Sequence, residues 1–141
     1  MNMPKSTAAG VMLLKKSKYG ARKITRDGVT FDSVKEYRRF CELRLLERAG
    51  EVTNLQRQVT FPLIPAQREE PCEVYQRGKN KGMPKQGKLL EKEVTYIADF
   101  VYTDTATGET IVEDVKGFKT KDYILKRKMM LYFHGIKIRE V

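Results

Sequence analysis

The sequence predicts an α/β (α+β) domain, a central mixed sheet flanked by helices, with element order αβββαβ. Three observations carry this expectation. The chain has 141 residues, the span of one compact domain with a real core. Two segments repeat apolar residues at helical spacing, and each opens at a Ser or Thr and closes at a Gly. Between and after them lie runs with the alternation and turn signals of strands.

Each element has a local reason. Residues 1–18 read as a flexible basic arm, and residues 19–141 as a single domain. Residues 23–31 read as a short extended or hairpin-like segment turning at Asp27-Gly28. Ser33 followed by Glu36 fits a capping box, in which each side chain satisfies a free backbone N–H at a helix start. Val34, Tyr37, Phe40, Cys41 and Leu45 then recur at helical spacing and predict a buried stripe, and Gly50 stops the helix. Residues 55–64 suggest a strand ending at Pro65, and residues 72–76 a short one. Residues 77–88 hold Gly, Pro, Asn and five basic residues, and read as an exposed basic loop inserted into the domain. Residues 89–103 and 109–116 predict strands joined by a turn at 105–108. Thr120 caps a second helix that runs to about His134, with Tyr123, Ile124, Met130 and Leu131 as its core residues. His134, the single histidine, is expected to be structural, at a helix end that favours a cation. Gly135 ends this helix, and residues 136–141 form a last strand.

Composition narrows the function. At 40% hydrophobic and 33% charged, the chain is neither disordered nor membrane-embedded in character. No apolar run approaches the roughly 20 residues needed to cross a bilayer. The short run Val11-Met12-Leu13-Leu14 is followed by lysines, the reverse of a secretory signal, so a cytoplasmic location is expected. Cys41 and Cys72 are too few for a disulfide framework or a zinc cluster, and read as small buried or incidental residues. The net charge of +10 is uneven. Residues 1–30 carry seven basic and one acidic residue, residues 76–92 six and one, and residues 117–139 seven and one. Residues 93–116 carry one basic and six acidic residues. Basic segments around an acidic centre point to a polyanionic partner, bound through its phosphates. Phosphates would be repelled by that centre unless a cation stood between.

The acidic centre is the most informative feature. Tyr96-Ile97-Ala98-Asp99-Phe100 and Ile111-Val112-Glu113-Asp114-Val115-Lys116-Gly117 each place a carboxylate inside an apolar strand. Carboxylates are rarely buried without a partner. Alternate strand residues share a face, so Asp114 and Lys116 point the same way, roughly 6–7 Å apart along the strand, and Glu113 points to the other face, toward solvent or a basic side chain. If the two strands pair, Asp99 and Asp114 meet on one face and can hold a divalent metal. Their hard oxygens suit Mg2+, with Mn2+ as a substitute, and the carbonyl of Val115 would add a ligand. Lys116 would hold or polarise the attacking water, and Gly117 would let a substrate approach the backbone.

This constellation resembles the PD-(D/E)XK nuclease superfamily over roughly residues 31–141. That family has a restriction-endonuclease-like core of helix, three strands, helix and strand. The resemblance maps Glu36 to its helix acid, Asp99 to its strand aspartate, and Asp114-Val115-Lys116 to its D-x-K triplet. Ala98 stands where the family carries proline, and the loop at 77–88 lies outside the family core. The nearest likeness is to small phage-borne nucleases that resolve branched DNA of the Holliday-junction type, which would act in the host cytoplasm. The resemblance implies catalytic Glu36, Asp99, Asp114 and Lys116, and a metal held by Glu36, Asp99, Asp114 and Val115.

The resulting expectation is a Mg2+-dependent DNA endonuclease acting on branched or replicating phage DNA. Lys79, Lys81 and Lys85 in the loop, and Lys119, Lys121, Lys126 and Lys128 near the second helix, are its candidate DNA contacts. A solvated basic face is the alternative for these lysines. Junction resolution needs two cuts, so a homodimer fits the same reading. Glu36 read only as a capping acid, and Asp99 paired with Lys116 without a metal, are the plainer alternatives. A catalytically inactive DNA-binding accessory protein is the runner-up. A structural protein comes last, because it leaves Asp99, Asp114 and Lys116 without a role.

Overall fold

In the computed structural model, residues 20–141 are described, and the basic arm expected over 1–18 lies outside them. Arg26, Asp27, Gly28 and Val29 make a tight reversal between β1 (Ile24–Arg26) and β2 (Val29–Phe31). Asp27 and Gly28 both have positive φ, 50° and 76°, as a two-residue hairpin turn of matching twist requires. The chain then enters α1 (Val34–Arg48), where the Ser33 hydroxyl accepts the Glu36 N–H at 3.0 Å. The capping box is not reciprocal as expected, because the Glu36 carboxylate reaches back one residue further and accepts from the Asp32 N–H at 2.8 Å.

Four strands form the central mixed sheet. β3 (Val52–Ile64) pairs antiparallel with β6 (Val94–Asp104), β6 pairs antiparallel with β7 (Thr110–Asp114), and β8 (Arg139–Glu140) adds parallel to β7. The turn at 105–108 is held by the Asp104 carboxylate, which accepts from the N–H groups of Ala106 and Thr107. A separate two-stranded ribbon, β4 (Gln67–Arg68) with β5 (Leu89–Glu91), extends from the far end of the long β3–β6 pair. Residues 72–76 form only an isolated bridge, Val74 to Pro84, and residues 77–84 are exposed. α2 (Lys121–His134) starts at Thr120 and stops at Gly135, whose φ of 66° closes the helix in the left-handed region.

The two helices occupy opposite faces of the sheet. Leu43 of α1 packs with Val52, Phe100 and Tyr102, while Tyr123 and Met130 of α2 pack with Leu63, Tyr96, Ala98 and Val112. Ile111 and Glu113 of β7 face α1, and Val112 faces α2. β6 keeps no single alternation. Tyr96 and Ala98 pack against α2, yet Phe100 and Tyr102 pack against α1, so the strand changes face beside Asp99. Opposite this point, Gln58 of β3 has φ 51°.

The buried side of α1 differs from expectation. Glu36 and Leu43 are its buried residues, with Phe40 and Leu46 packed nearby. Val34 and Leu45 are exposed, and Tyr37, Cys41 and Leu45 line an open groove against the β1–β2 hairpin. Apolar residues surround most of this helix, so spacing alone did not select the inner side. Leu131 of α2 is likewise exposed, whereas His134 is structural, its ring edge-on to Phe61 and hydrogen-bonded to the Pro62 carbonyl. Cys41 is half-buried and Cys72 exposed, both free. Among the described residues, no helix is long and apolar enough to cross a membrane.

Candidate active site

β6 and β7 bring the two strand acids together. Their register pairs Phe100 with Glu113, so Asp99 and Asp114 follow as the next cross-strand neighbours. Asp114 is 1% exposed. Its Oδ2 accepts from the buried Tyr96 hydroxyl. Its Oδ1 lies 3.1 Å from Lys116 Nζ but receives no hydrogen bond of acceptable geometry. Asp99 Oδ2 accepts from the Val115 N–H at 2.8 Å. Burial does most to push the Asp99 carboxyl up, to about 8. The neighbouring Asp114 carboxylate acts in the same direction.

Lys116 follows the predicted parity. It pairs with Asp114 rather than with Asp99, and its ammonium lies 4.4 Å from the centroid of the Tyr123 ring. Burial, then the charge of Asp114, raises the Tyr123 hydroxyl pKa, and the Tyr123 oxygen has no hydrogen-bond partner. Glu36 reaches the same region from the first turn of α1. It is 2% exposed, and burial raises its carboxyl pKa against the opposing pull of the Asp32 N–H. Arg57 Nη2 lies 3.5 Å from Glu36 Oε1, with its guanidinium over the Phe31 ring.

Glu36 does not join the aspartates directly. The Gln58 amide stands between them, its Nε2 3.2 Å from Glu36 Oε1 and 3.3 Å from Asp99 Oδ1. Its backbone conformation costs an L residue on the order of 1–2 kcal/mol. Sequence reasoning missed Gln58, because the alternation of Val59, Phe61 and Leu63 sets it among the outward polar residues Gln56 and Thr60. Tyr96 and Arg57 were missed as well, since neither carries a spacing signal.

Glu36, Asp99 and Lys116 border a cleft of about 260 Å3, lined also by Ser33, Val115 and Gly117, whereas Asp114 and Gln58 do not line it. A Cβ added at Gly117 would meet no protein atom within 4 Å, so packing does not require glycine there. Two larger open concavities, of 470 and 510 Å3, hold none of the four candidate catalytic residues. Lys116 and Thr120 also border a second hollow of 290 Å3, which Lys126 lines.

Glu113, expected to face solvent or a basic side chain, faces the basic side chain of Arg39 and is fully buried. Arg39 of α1 grips it with two hydrogen bonds, Nε at 2.6 Å and Nη2 at 2.9 Å, and the Tyr102 hydroxyl adds a third at 2.7 Å.

The chain belongs to the family described as "Protein of unknown function (DUF1064)". That family model matches residues 16–140, which include every site residue named above. No curated protein and no solved structure matches the chain.

The donor set fits a hard divalent cation in part. Two adjacent carboxylates and a buried Asp114 oxygen without a hydrogen bond are what Mg2+ or Mn2+ takes, although the Lys116 ammonium, the Val115 N–H and the Gln58 amide nitrogen also face these carboxylates. Among the described residues, however, no group of three His, Cys, Asp or Glu side chains comes together. A third protein ligand to such an ion would therefore be another kind of oxygen. The predicted DNA-contact lysines divide. Lys79, Lys81, Lys121 and Lys128 are exposed, whereas Lys85 is paired with Glu73, Lys119 with Glu140, and Lys126 with Asp122.

Proposed function

We propose that this chain is a divalent-metal-dependent DNA endonuclease that hydrolyses phosphodiester bonds. One observation carries the reading: Asp99, half-buried, and Asp114, buried, are adjacent, and Asp99 and Lys116 line an open cleft. Burying two acids side by side is costly for a purely structural purpose, since each carboxylate disfavours the charge on the other. A cation between them removes that cost. Asp99 and Asp114 would hold Mg2+ or Mn2+, with the Val115 carbonyl, and Glu36 would face it across the cleft. When bound, such an ion stabilises developing charge on a phosphate and lowers the pKa of a nearby water.

The chain's own groups do the rest. The Lys116 ammonium, one-quarter exposed and steered by Asp114 and the Tyr123 ring, orients the attacking water and adds positive charge beside the phosphate. Open space at Gly117 lets a nucleic-acid backbone approach the strand end. Exposed Lys79, Lys81, Lys121 and Lys128 supply phosphate contacts away from the chemistry. The likeness of Glu36, Asp99 and Asp114-Val115-Lys116 to the PD-(D/E)XK pattern favours branched or replicating phage DNA as substrate, with a homodimer making paired cuts.

A second reading has an observation of its own. The Gln58 amide standing between Glu36 and Asp99 suits a catalytically inactive DNA-binding protein of this architecture. Cleavage assays on duplex, flap, fork and four-way junction with Mg2+, Mn2+, Ca2+ or EDTA separate the two. Mg2+-dependent cuts blocked by EDTA support the nuclease. Salt-sensitive binding without cleavage under any ion selects the inactive binder.

A further inference from the structure

Gln58 is a neutral side chain wedged between a buried acid, Glu36, and a half-buried one, Asp99. A side-chain amide has two nearly isosteric ends, an NH2 that donates and a carbonyl that accepts. Here the NH2 end faces both Glu36 and Asp99. It quiets two acceptor groups that would otherwise repel each other. Turning the amide by half a rotation puts an oxygen in almost the same place.

The surroundings of this residue favour such a turn. Its backbone is held in the left-handed region, φ 51°, where a side chain is disfavoured, and such strain collects at functional sites. It sits opposite the point where β6 changes face beside Asp99. Arg57 independently compensates Glu36 from the Phe31 side, so the amide can turn without stranding that acid. Only two carboxylates are adjacent among the described residues, and a hard cation seeks more oxygens than they supply.

We propose that Gln58 is an exchangeable ligand of the cation site. Without a cation, its NH2 bridges Glu36 and Asp99. With Mg2+ or Mn2+ present, its carbonyl oxygen turns inward and joins the ligand set. The inference rests on the nuclease reading above, from which it takes the cation.

The test uses the full chain and reads metal binding rather than cleavage. Mn2+ affinity is measured by calorimetry for the native chain, Gln58→Leu and Gln58→Glu. Leucine neither donates nor ligates, and affinity should fall by about tenfold to a hundredfold. Glutamate ligates but cannot donate. It should bind at least as tightly as native, melt at a lower temperature without metal, and recover on adding Mg2+. Nitrogen-15 NMR of the native chain gives a readout independent of any variant's folding. The Gln58 side-chain NH2 signals should move toward the values of a free amide on adding diamagnetic Mg2+. Native Mn2+ binding with unmoved Gln58 signals and unchanged affinity in both variants would reduce Gln58 to a structural bridge and overturn the proposal alone. Absence of Mn2+ binding by the native chain would instead bring down the nuclease reading with it.

Discussion

Glu113 and Asp114 are consecutive acids on one strand, both almost without solvent exposure, yet their surroundings differ in kind. Glu113 faces α1 and is fully answered, by two Arg39 hydrogen bonds and the Tyr102 hydroxyl. Asp114 faces the other way, keeps one oxygen without a hydrogen bond, and sits behind a second acid and a lysine that line a cleft. A buried acid with every lone pair answered ties a helix to a sheet. One left incompletely answered, beside a like charge, is what the proposed cation would complete. Strand parity turns two chemically similar residues into a structural tie and a member of the proposed cation site.

The largest effect should come from the Asp114 side. Asp99→Asn is expected to slow Mg2+-dependent plasmid nicking about a thousandfold, roughly 4 kcal/mol of transition-state stabilisation. DNA binding, measured by fluorescence anisotropy, should persist, because affinity comes from distant lysines. Folding should hold too, since a neutral amide avoids the burial cost, and the repulsion from Asp114, that raise the Asp99 carboxyl. Near-native nicking would remove Asp99 from the site.

The Glu113 side should respond in stability instead. Glu113→Ala leaves Arg39 facing the interior without its partner, and breaking a buried pair costs about 3–5 kcal/mol. Arg39 is 24% exposed, so the lower end, about 3 kcal/mol, is expected in urea unfolding. A shift below about 1 kcal/mol would mean that this pair does not tie α1 to the sheet.

How much of this division was legible in the sequence follows from which interactions are local. Ser33, Thr120 and Gly135 announced the helix ends, and Asp27-Gly28 the hairpin, because caps and turns are decided within a few residues. Parity within β7 put Asp114 with Lys116 and against Glu113, as found. The burial of Glu113 was not legible, because its partner Arg39 lies 74 residues away on another element. The inner face of α1 was misjudged for a related reason. Glu36 is buried through hydrogen bonds to Asp32 and Gln58, so a charged residue took a place that periodicity reserves for apolar ones. Gln58 itself depends on a sheet irregularity that no pattern of residue types encodes.

Smaller effects sharpen the contrast from outside the site. Replacing Lys79 and Lys81 by alanine should lower the salt dependence of DNA binding by about 0.9 for each phosphate that a lysine no longer neutralises. Lys85→Ala should change it less, because Glu73 already neutralises that lysine at 2.9 Å. Equal slopes for all three single variants would show that the loop pairing is irrelevant to binding.

The smallest effect concerns Glu140, the β8 neighbour of Asp114 in the ladder. Lys119, then Arg127, hold its carboxyl at about 2, below the ordinary 4.5. A depressed acid contributes stability that is complete above about 4.5 and lost as pH falls toward 2. Melting temperatures from about pH 6 to about pH 2.5 should therefore fall less steeply in Glu140→Gln than in the native chain. Parallel curves would remove this pairing from the acid response.

The most direct measurement sets the two β7 acids against each other in one plasmid-nicking assay, with Mg2+ or EDTA, on folded native, Asp114→Asn and Glu113→Gln proteins. The expected result is Mg2+-dependent nicking by the native chain, a loss of about a thousandfold or more in Asp114→Asn, and most of the native rate in Glu113→Gln. No nicking by the native chain with any divalent ion, or a larger loss from Glu113→Gln than from Asp114→Asn, would contradict the assignment of chemistry to the Asp114 face.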